Sequence, residues 1–285
     1  MITTMANETT SSTISELYTE IVAEALFVAS ERSLMRGLVK NYAISGGGKS
    51  VEVPIYAVVS AAAVSEASDL SNTAINPSSV TITASEVGIM TTLTDLGRNA
   101  SPRNVAADIG KLFGEAIAKK IDTDLVTLFD GFSKIVGGAD VAFSAAKLFE
   151  ALAELRTQSV PTNDLSCVVH PYIAYDLKGA LTNTFANPNS SDNANEAMRT
   201  GFVGRLAGCN VYESANISNT GTTGDYKGAV FHRDALGLAM MQDLKIETQR
   251  DASLRADELV ATSVYGTSEL HDTYGVELMM DSSLL

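Results

Sequence analysis

The sequence is short of several things that a secreted, membrane-spanning or DNA-binding chain needs. Its 285 residues include only two cysteines, Cys167 and Cys209. That is too few for a disulfide framework and fits synthesis in a reducing cytoplasm. No apolar run approaches the ~18 residues that cross a bilayer. The opening MITTMANETTSS has neither the basic nor the apolar region of a secretory signal, and Met5 is a second candidate start. Charged residues make up 19%, below the usual ~25%. Cations are scarcest: 20 Lys and Arg stand against 34 Asp and Glu, a formal net charge of −14. Tight phosphate or anionic-lipid binding is therefore disfavoured. The densest basic pair, Lys119-Lys120, falls inside a predicted helix.

The composition that remains is globular, with 45% hydrophobic residues and room for one large domain or two ordinary ones. Ala, Ser, Thr, Asn and Gly fill the place of charge. A surface so poor in charge suits burial against partners.

Residues 1–12 read as a mobile polar tail. Thr13 and Glu16 form a capping box. After it Ile14, Leu17, Tyr18, Ile21, Val22, Ala25, Leu26 and Ala29 recur at helical spacing, with Gly37 as the end. Gly46-Gly47-Gly48 breaks the chain. Val51, Val53 and Ile55 then alternate as a strand, and so do Val80, Ile82 and Ala84. Val87, Ile89, Thr91 and Leu93 resume with the phase shifted, which predicts a bulge or bend near Ser85–Val87. Residues 59–79 between the arms have too few large apolar groups for a core. The three pieces read as a long hairpin reaching away from the body.

Ser101-Pro102 marks a helix start. Val105, Ile109, Leu112, Phe113, Ala116, Ile117, Ile121, Leu125 and Leu128 make one apolar stripe, closed by Gly131. A second helix is capped by Ser144, buries Leu148, Phe149, Leu152 and Leu155, and stops before Pro161. Leu165–Val169 reads as a buried strand. His170-Pro171 opens a short helix to Leu181, and residues 183–196 read as a loop. Strands follow at Val211–Ser214 and Ala229–Phe231, then at Leu244–Thr248, Leu259–Tyr265 and Val276–Met280.

No chemistry-bearing cluster emerges. Gly46-Gly47-Gly48-Lys49-Ser50 resembles the end of a phosphate-binding loop. The motif needs a glycine where Ala43 stands and a helix immediately afterwards, but Val51-Glu-Val-Pro54 is strand-like. Cys167, His170, Cys209 and His232 lack zinc-site spacing. No G-x-S-x-G elbow occurs, and His170, His232 and His271 have no partner pattern of a nucleophile and base. Asp122 and Asp124 diverge by ~200° around their helix and cannot share a site on it. The mixed-sign run from Arg250 to Glu258 reads as a solvated turn or as salt bridges to another chain. No cofactor, metal or catalytic residue is expected, and the chain reads as a structural subunit.

The order of elements carries a resemblance. A polar tail and helix, a protruding hairpin, a long amphipathic helix, an α/β region and long C-terminal strands together resemble the tailed-phage major capsid protein with the Hong Kong 97 fold. Gly88-Ile-Met-Thr-Thr-Leu-Thr-Asp95 is similar to the returning arm of that family's extended loop. Ile109-Gly110 through Ala116-Ile-Ala-Lys-Lys-Ile-Asp122 is similar to its spine helix. His170-Pro171 with Leu177, and Gly201-Phe-Val-Gly204-Arg-Leu-Ala-Gly208-Cys-Asn-Val211-Tyr-Glu-Ser214, resemble axial-domain segments. Lys227-Gly-Ala-Val-Phe231 with Ala235 resembles the return to the peripheral domain. The likeness runs from about Ile14 onward and lies chiefly in collinear order.

The resemblance implies an α+β fold in four parts: an N-terminal arm at 1–48, lying along a neighbour; an extended loop at 49–94; a peripheral domain with the spine helix at 95–139 and 233–274; and an axial domain at 140–232 and 275–285. It implies hexamers and pentamers of one chain closing an icosahedral virion shell. That shell would enclose double-stranded DNA without sequence-specific binding or any membrane, and would be made in the host cytoplasm. A portal and cement proteins are implied partners. Fewer than fifty residues precede the loop, so a separate scaffolding protein is expected. The loop tip from Ser60 to Ser79 has no lysine, so no isopeptide crosslinks are expected. Glu66 and Asp69 on the tip are the candidates to meet a basic patch of a neighbour near Arg98 or Arg103. Two other readings stay open: a close runner-up, a cellular compartment shell of the same fold around enzyme cargo, which the fold does not separate from a capsid, and an α/β enzyme without a recognisable motif.

Overall fold

A computed structural model describes residues 25, 33–45, 47–56, 74–100, 105–185, 204–220 and 224–284, with single positions between 59 and 72. The side chains of 98–100, 105–107, 180–185 and 204 are not described. The capping box at Thr13 and Glu16 and the helix start at Ser101-Pro102 lie outside these residues. Three sheets organise the described residues, one of four strands, one of six and one of two.

The four-stranded sheet is built on β10 (Leu236–Asp251) and β11 (Ala256–Glu269). They pair antiparallel from Leu236↔Glu269 to Asp251↔Ala256, with irregular register between Met240 and Lys245. β4 (Ser85–Thr94) pairs antiparallel with β11. β1 (Lys40–Ala43) runs parallel to β10. Side chains alternate between the faces of such a sheet, and the two faces meet different things. The long helix Val105–Thr127 lies on one face. Its row Phe113, Ile117, Ile121 and Leu125 enters the main core with Leu238, Ile246, Leu259, Ala261 and Tyr265. The Tyr265 hydroxyl donates to Asp124 at 2.8 Å.

The opposite face is covered over its near half by β2 (Ser50–Ile55) and β3 (Ser78–Thr83). Ile44, Ile82, Ala84, Ala239 and Leu270 form a second core there, edged by Val51, Val53, Val80 and Val264. Backbone crosses backbone closely at this point. A Cβ on Gly266 would stand 2.3 Å from the Thr83 carbonyl oxygen. Past Ala84 the chain leaves the two-stranded ribbon for the edge of the larger sheet. The phase shift in the sequence marks this hand-over between sheets, a sharper event than a bulge.

The six-stranded sheet is the more buried one. β6 (Leu165–Val169) is buried at every position, as a strand covered on both faces must be. It sits between β8 (Cys209–Glu213) and β9 (Asp225–His232). β12 (Gly275–Asp281) joins β9 to β5 (Ile135–Ala142), and β7 (Gly204–Leu206) ends the other edge. Helices Ala145–Thr157 and Pro171–Phe185 belong to this half. Three crossings join the sheets, each through a short 3₁₀ turn: Leu128–Gly131, Arg233–Ala235 and Asp272–Tyr274. One continuous core runs through both halves.

Several sequence expectations change in detail. Leu112 and Phe149 belong to the apolar stripes, yet both are exposed, because each stripe is wider than the face that packs. Ser144 stands at the N-cap position without a side-chain capping bond; its carbonyl receives the Lys147 and Leu148 amides instead. The helix after His170 continues to Phe185, past the loop expected from 183. The long helix ends at Thr127, and a 3₁₀ turn carries the chain to Gly131. The terminal strands are far longer than their apolar centres.

Candidate assembly surfaces

The β2–β3 ribbon is pinned at its base. Ala84 donates to the Lys49 carbonyl at 2.8 Å, and Ser50↔Thr83 through Ile55↔Ser78 are paired. Beyond Ile55 the character changes at once. Tyr56 is 65% exposed, and Val59, Val64 and Ile75 are exposed with it. None of the four joins either core cluster. A two-stranded ribbon with no packed face is not stable alone in water. Here the base is stabilised by the sheet beneath it, and the described residues just beyond it are exposed.

A second surface lies at the far tip of the same sheet. The turn between β10 and β11 is internally braced. The Asp251 carboxylate accepts from the Ser253 amide and hydroxyl and from the Leu254 amide, at 2.6 to 3.2 Å. Arg250 grips Asp95 with two bonds of 2.8 and 2.6 Å and reaches Asp257 at 3.2 Å. These carboxylates push the guanidinium pKa up. Leu96, 80% exposed, and Leu254 stand out from this braced tip. The mixed-sign run read from sequence therefore folds on itself: the Asp251 turn is exposed, and Arg250 is engaged within the chain. Sequence reasoning missed Asp95 as its partner, since 155 residues separate the two.

The named interface candidates are not brought together in the single chain. Asp69 is exposed. Arg98 lies on the short helix Asp95–Ala100 that follows β4. Glu66 and Arg103 lie outside the described residues.

The would-be chemical clusters have structural roles. Gly47-Gly48 leads into the strand Ser50–Ile55 and not into a helix. Cys167 and Cys209 are buried on neighbouring strands, and burial pushes both thiols up, Cys209 to about 12. His170 stacks on Tyr226 at 3.9 Å between ring centres, and its Nδ1 accepts from the Tyr172 amide. His232 Nδ1 accepts from the Asp234 amide. Asp122 and Asp124 do diverge. Asp122 turns into the protein, while Asp124 meets Lys120 at 2.6 Å and Tyr265. Among the described residues no three His, Cys, Asp or Glu side chains are grouped to hold a metal, and no helix is long and apolar enough to cross a membrane.

A body with a continuous core, and apolar residues of the loop among those described that join no core, is the anatomy of a structural subunit that packs on other subunits. A family profile described as phage capsid protein matches residues 77–276, and the chain belongs to that family. Solved structures agree on the fold. The capsid of cyanophage P-SCSP1u is 19% identical, with a TM-score of 0.71 over 88% of this chain and 89% of that one. The head structure of Helicobacter pylori bacteriophage KHP40 has a TM-score of 0.69 at 13% identity, over 86% of this chain and 88% of that one. Mycobacterium phage Che8 has a TM-score of 0.66 at 23% identity, over 81% and 84%. No curated protein matches the sequence. The chain is thus a phage capsid protein, a virion component, with the fold of these solved capsid and head structures.

Proposed function

We propose that pentamers and hexamers of this chain close an icosahedral shell around double-stranded DNA, and that loop 49–94 of each copy lies across its neighbour. The observation that carries this reading is the set of exposed apolar residues described beyond a pinned ribbon base. Tyr56, Val59, Val64 and Ile75 need another surface to leave water.

The two faces of the four-stranded sheet narrow where that surface lies. Copies in a one-layer shell all turn the same face outward. The ribbon leaves from the face opposite the long helix, so a neighbour's loop arrives on that face too. Beyond the ribbon this face is uncovered by described residues. Met90 is 58% exposed there, opposite the half-buried Val260. Glu66 and Asp69 of the arriving loop would meet Arg98 or Arg103. The peripheral part then comprises the long helix and the four-stranded sheet, near 95–139 and 233–274. The axial part comprises 140–232 and 275–285, with β5 of its sheet starting as early as Ile135.

A net charge of −14 suits a wall that repels DNA rather than holding it. A separate scaffolding protein, a portal and cement proteins would complete the head, which would be assembled in the host cytoplasm. The loop tip, lacking lysine, would leave the shell uncrosslinked and the subunit without catalytic activity. Electron microscopy of the purified chain, expressed with its scaffold, should show closed particles containing DNA after packaging. A stable small oligomer that never closes would sink the proposal, particles holding enzyme cargo would replace the DNA reading, and covalent ladders on denaturing gels would remove the uncrosslinked shell.

A further inference from the structure

The four-stranded sheet ends at β4, which pairs with β11 on one side and, among the described residues, with no strand on the other. The ladder fixes which backbone groups look outward. β4 and β11 hold one register from Ala256↔Thr94 to Tyr265↔Ser85. One step beyond Thr94, the Asp95 amide donates to the Arg255 carbonyl at 3.0 Å. Hydrogen-bonded and non-hydrogen-bonded pairs alternate along an antiparallel ladder. Counting back from Asp95, Leu93, Thr91, Ile89, Val87 and Ser85 turn their amides and carbonyls to β11. Glu86, Gly88, Met90, Thr92 and Thr94 turn their amides away from it, toward the open edge.

Edge strands that stay unpaired are usually short, kinked, or guarded by lysine or proline. Other edges of this chain follow that pattern. β1 has four residues and begins with Lys40, β7 has three, and β2 contains Pro54. β5 carries Gly137 and Asp140 at positive φ and loses register beside β12. β4 has none of these guards. It is ten residues long, and from Val87 to Thr94 it has neither charge nor proline. Gly88, Met90, Thr92 and Thr94 are all exposed.

We propose that this edge pairs antiparallel with the same edge of a second copy, about a twofold axis at Met90, so that two four-stranded sheets become one. This contact rests on the chain's being a shell subunit and adds an edge to the surfaces by which copies meet. Two identical edges join isologously about a twofold. Met90 is the midpoint of the outward residues Glu86 to Thr94, so a dyad there pairs all of them: Glu86 opposite Thr94, Gly88 opposite Thr92, and Met90 opposite itself. The two Glu86 carboxylates then stand ~27 Å apart, and no like charges meet. An uncharged edge needs only its own pattern as a complement. It also adjoins the loop-side face around Met90 on which a neighbour's loop is expected, so both contacts continue one interface.

Met90→Cys in the full-length chain tests the register. Facing residues of a hydrogen-bonded pair have Cα atoms ~5.5 Å apart, within reach of a disulfide, and the native thiols are buried. Mild oxidation of assembled particles should convert most of the chain to a dimer on non-reducing gels. Glu86→Cys, far from its own counterpart, should stay monomeric. No dimer from Met90→Cys would mean that another segment covers the edge, and an equal dimer from Glu86→Cys would mean random collision; either overturns the proposal, while closed parent particles keep the shell reading intact. A chain that never assembles is oxidised in solution, where absence of the dimer overturns both readings. Met90→Pro tests the backbone. The Met90 amide looks outward, so the ring removes no bond to β11. Particle yield should fall about tenfold or more relative to Met90→Ala, with the two subunits melting alike. Equal yields would also overturn the proposal. If Met90→Pro fails to fold, the disulfide decides.

Discussion

The two large sheets do different work, and the contrast shows in what covers them. The six-stranded sheet has at its centre a strand with no exposed position. The four-stranded sheet is long and, among the described residues, only half covered on its loop-side face, and its far tip has Leu96 and Leu254 exposed. One sheet spends its apolar surface inside the subunit. The other keeps some for neighbours. Stability and assembly should therefore separate by location, and substitutions can test that separation.

The largest effect should come from the shared core. Phe231 is fully buried and packs on Phe129 with ring centres 5.5 Å apart. Phe231→Ala should lower the unfolding free energy by ~3–5 kcal/mol and abolish particles with it; a denaturant midpoint close to the parent's would contradict a main core shared by both halves. Next comes the ribbon's seat. Gly266→Val puts a side chain onto the Thr83 carbonyl and should cost ~1–3 kcal/mol. Here assembly should fall further than stability does, measured by sedimentation beside thermal melts.

The joint between the sheets should respond to pH. Burial, with Asp272 beside it, raises the Glu269 carboxyl above its ordinary 4.5. Burial also raises Glu277, with Lys227 at 3.2 Å opposing the shift. A carboxyl raised on folding stabilises fully below its unfolded value, and that contribution is lost as pH rises through the folded one. The contribution of these two carboxyls should therefore decline as pH climbs from about 4.5, and Glu269→Gln should make the pH profile less steep than the parent's. An unaltered slope in the variant would remove Glu269 from the cause. The smallest effect on stability belongs to the loop. Reversing Glu66 and Asp69 together should leave the melting curve in place and still cut particle yield; unchanged yield would dismiss the pair as contacts.

Much of the architecture is legible along the chain, for local reasons. Leu165–Val169 is apolar at nearly every position, and only a strand covered on both sides suits it. The Val51–Ile55 and Val80–Ala84 alternation locates the ribbon, and the break in phase locates its end. The buried row of the long helix follows from 3.6 residues per turn. The stripe fails at Leu112 and Phe149, because a sequence shows which residues are apolar and not how wide a face the neighbouring sheet offers. Arg250 is instructive in the same way. Its charge is plain, but Asp95 becomes its partner only after β4 is laid beside β11.

By itself, then, the sequence determined the elements, the coreless loop and the absence of a recognisable catalytic pattern. Local periodicity and turn chemistry suffice for those. Which face of a sheet receives a helix and which a ribbon, and which carboxylate meets which amide, were decided by tertiary structure alone. Asp122 shows the reason: in the sequence it is one acid among 34, and only the meeting of segments 87 to 89 residues apart turns it inward to accept from Ser33, Leu34 and Met35.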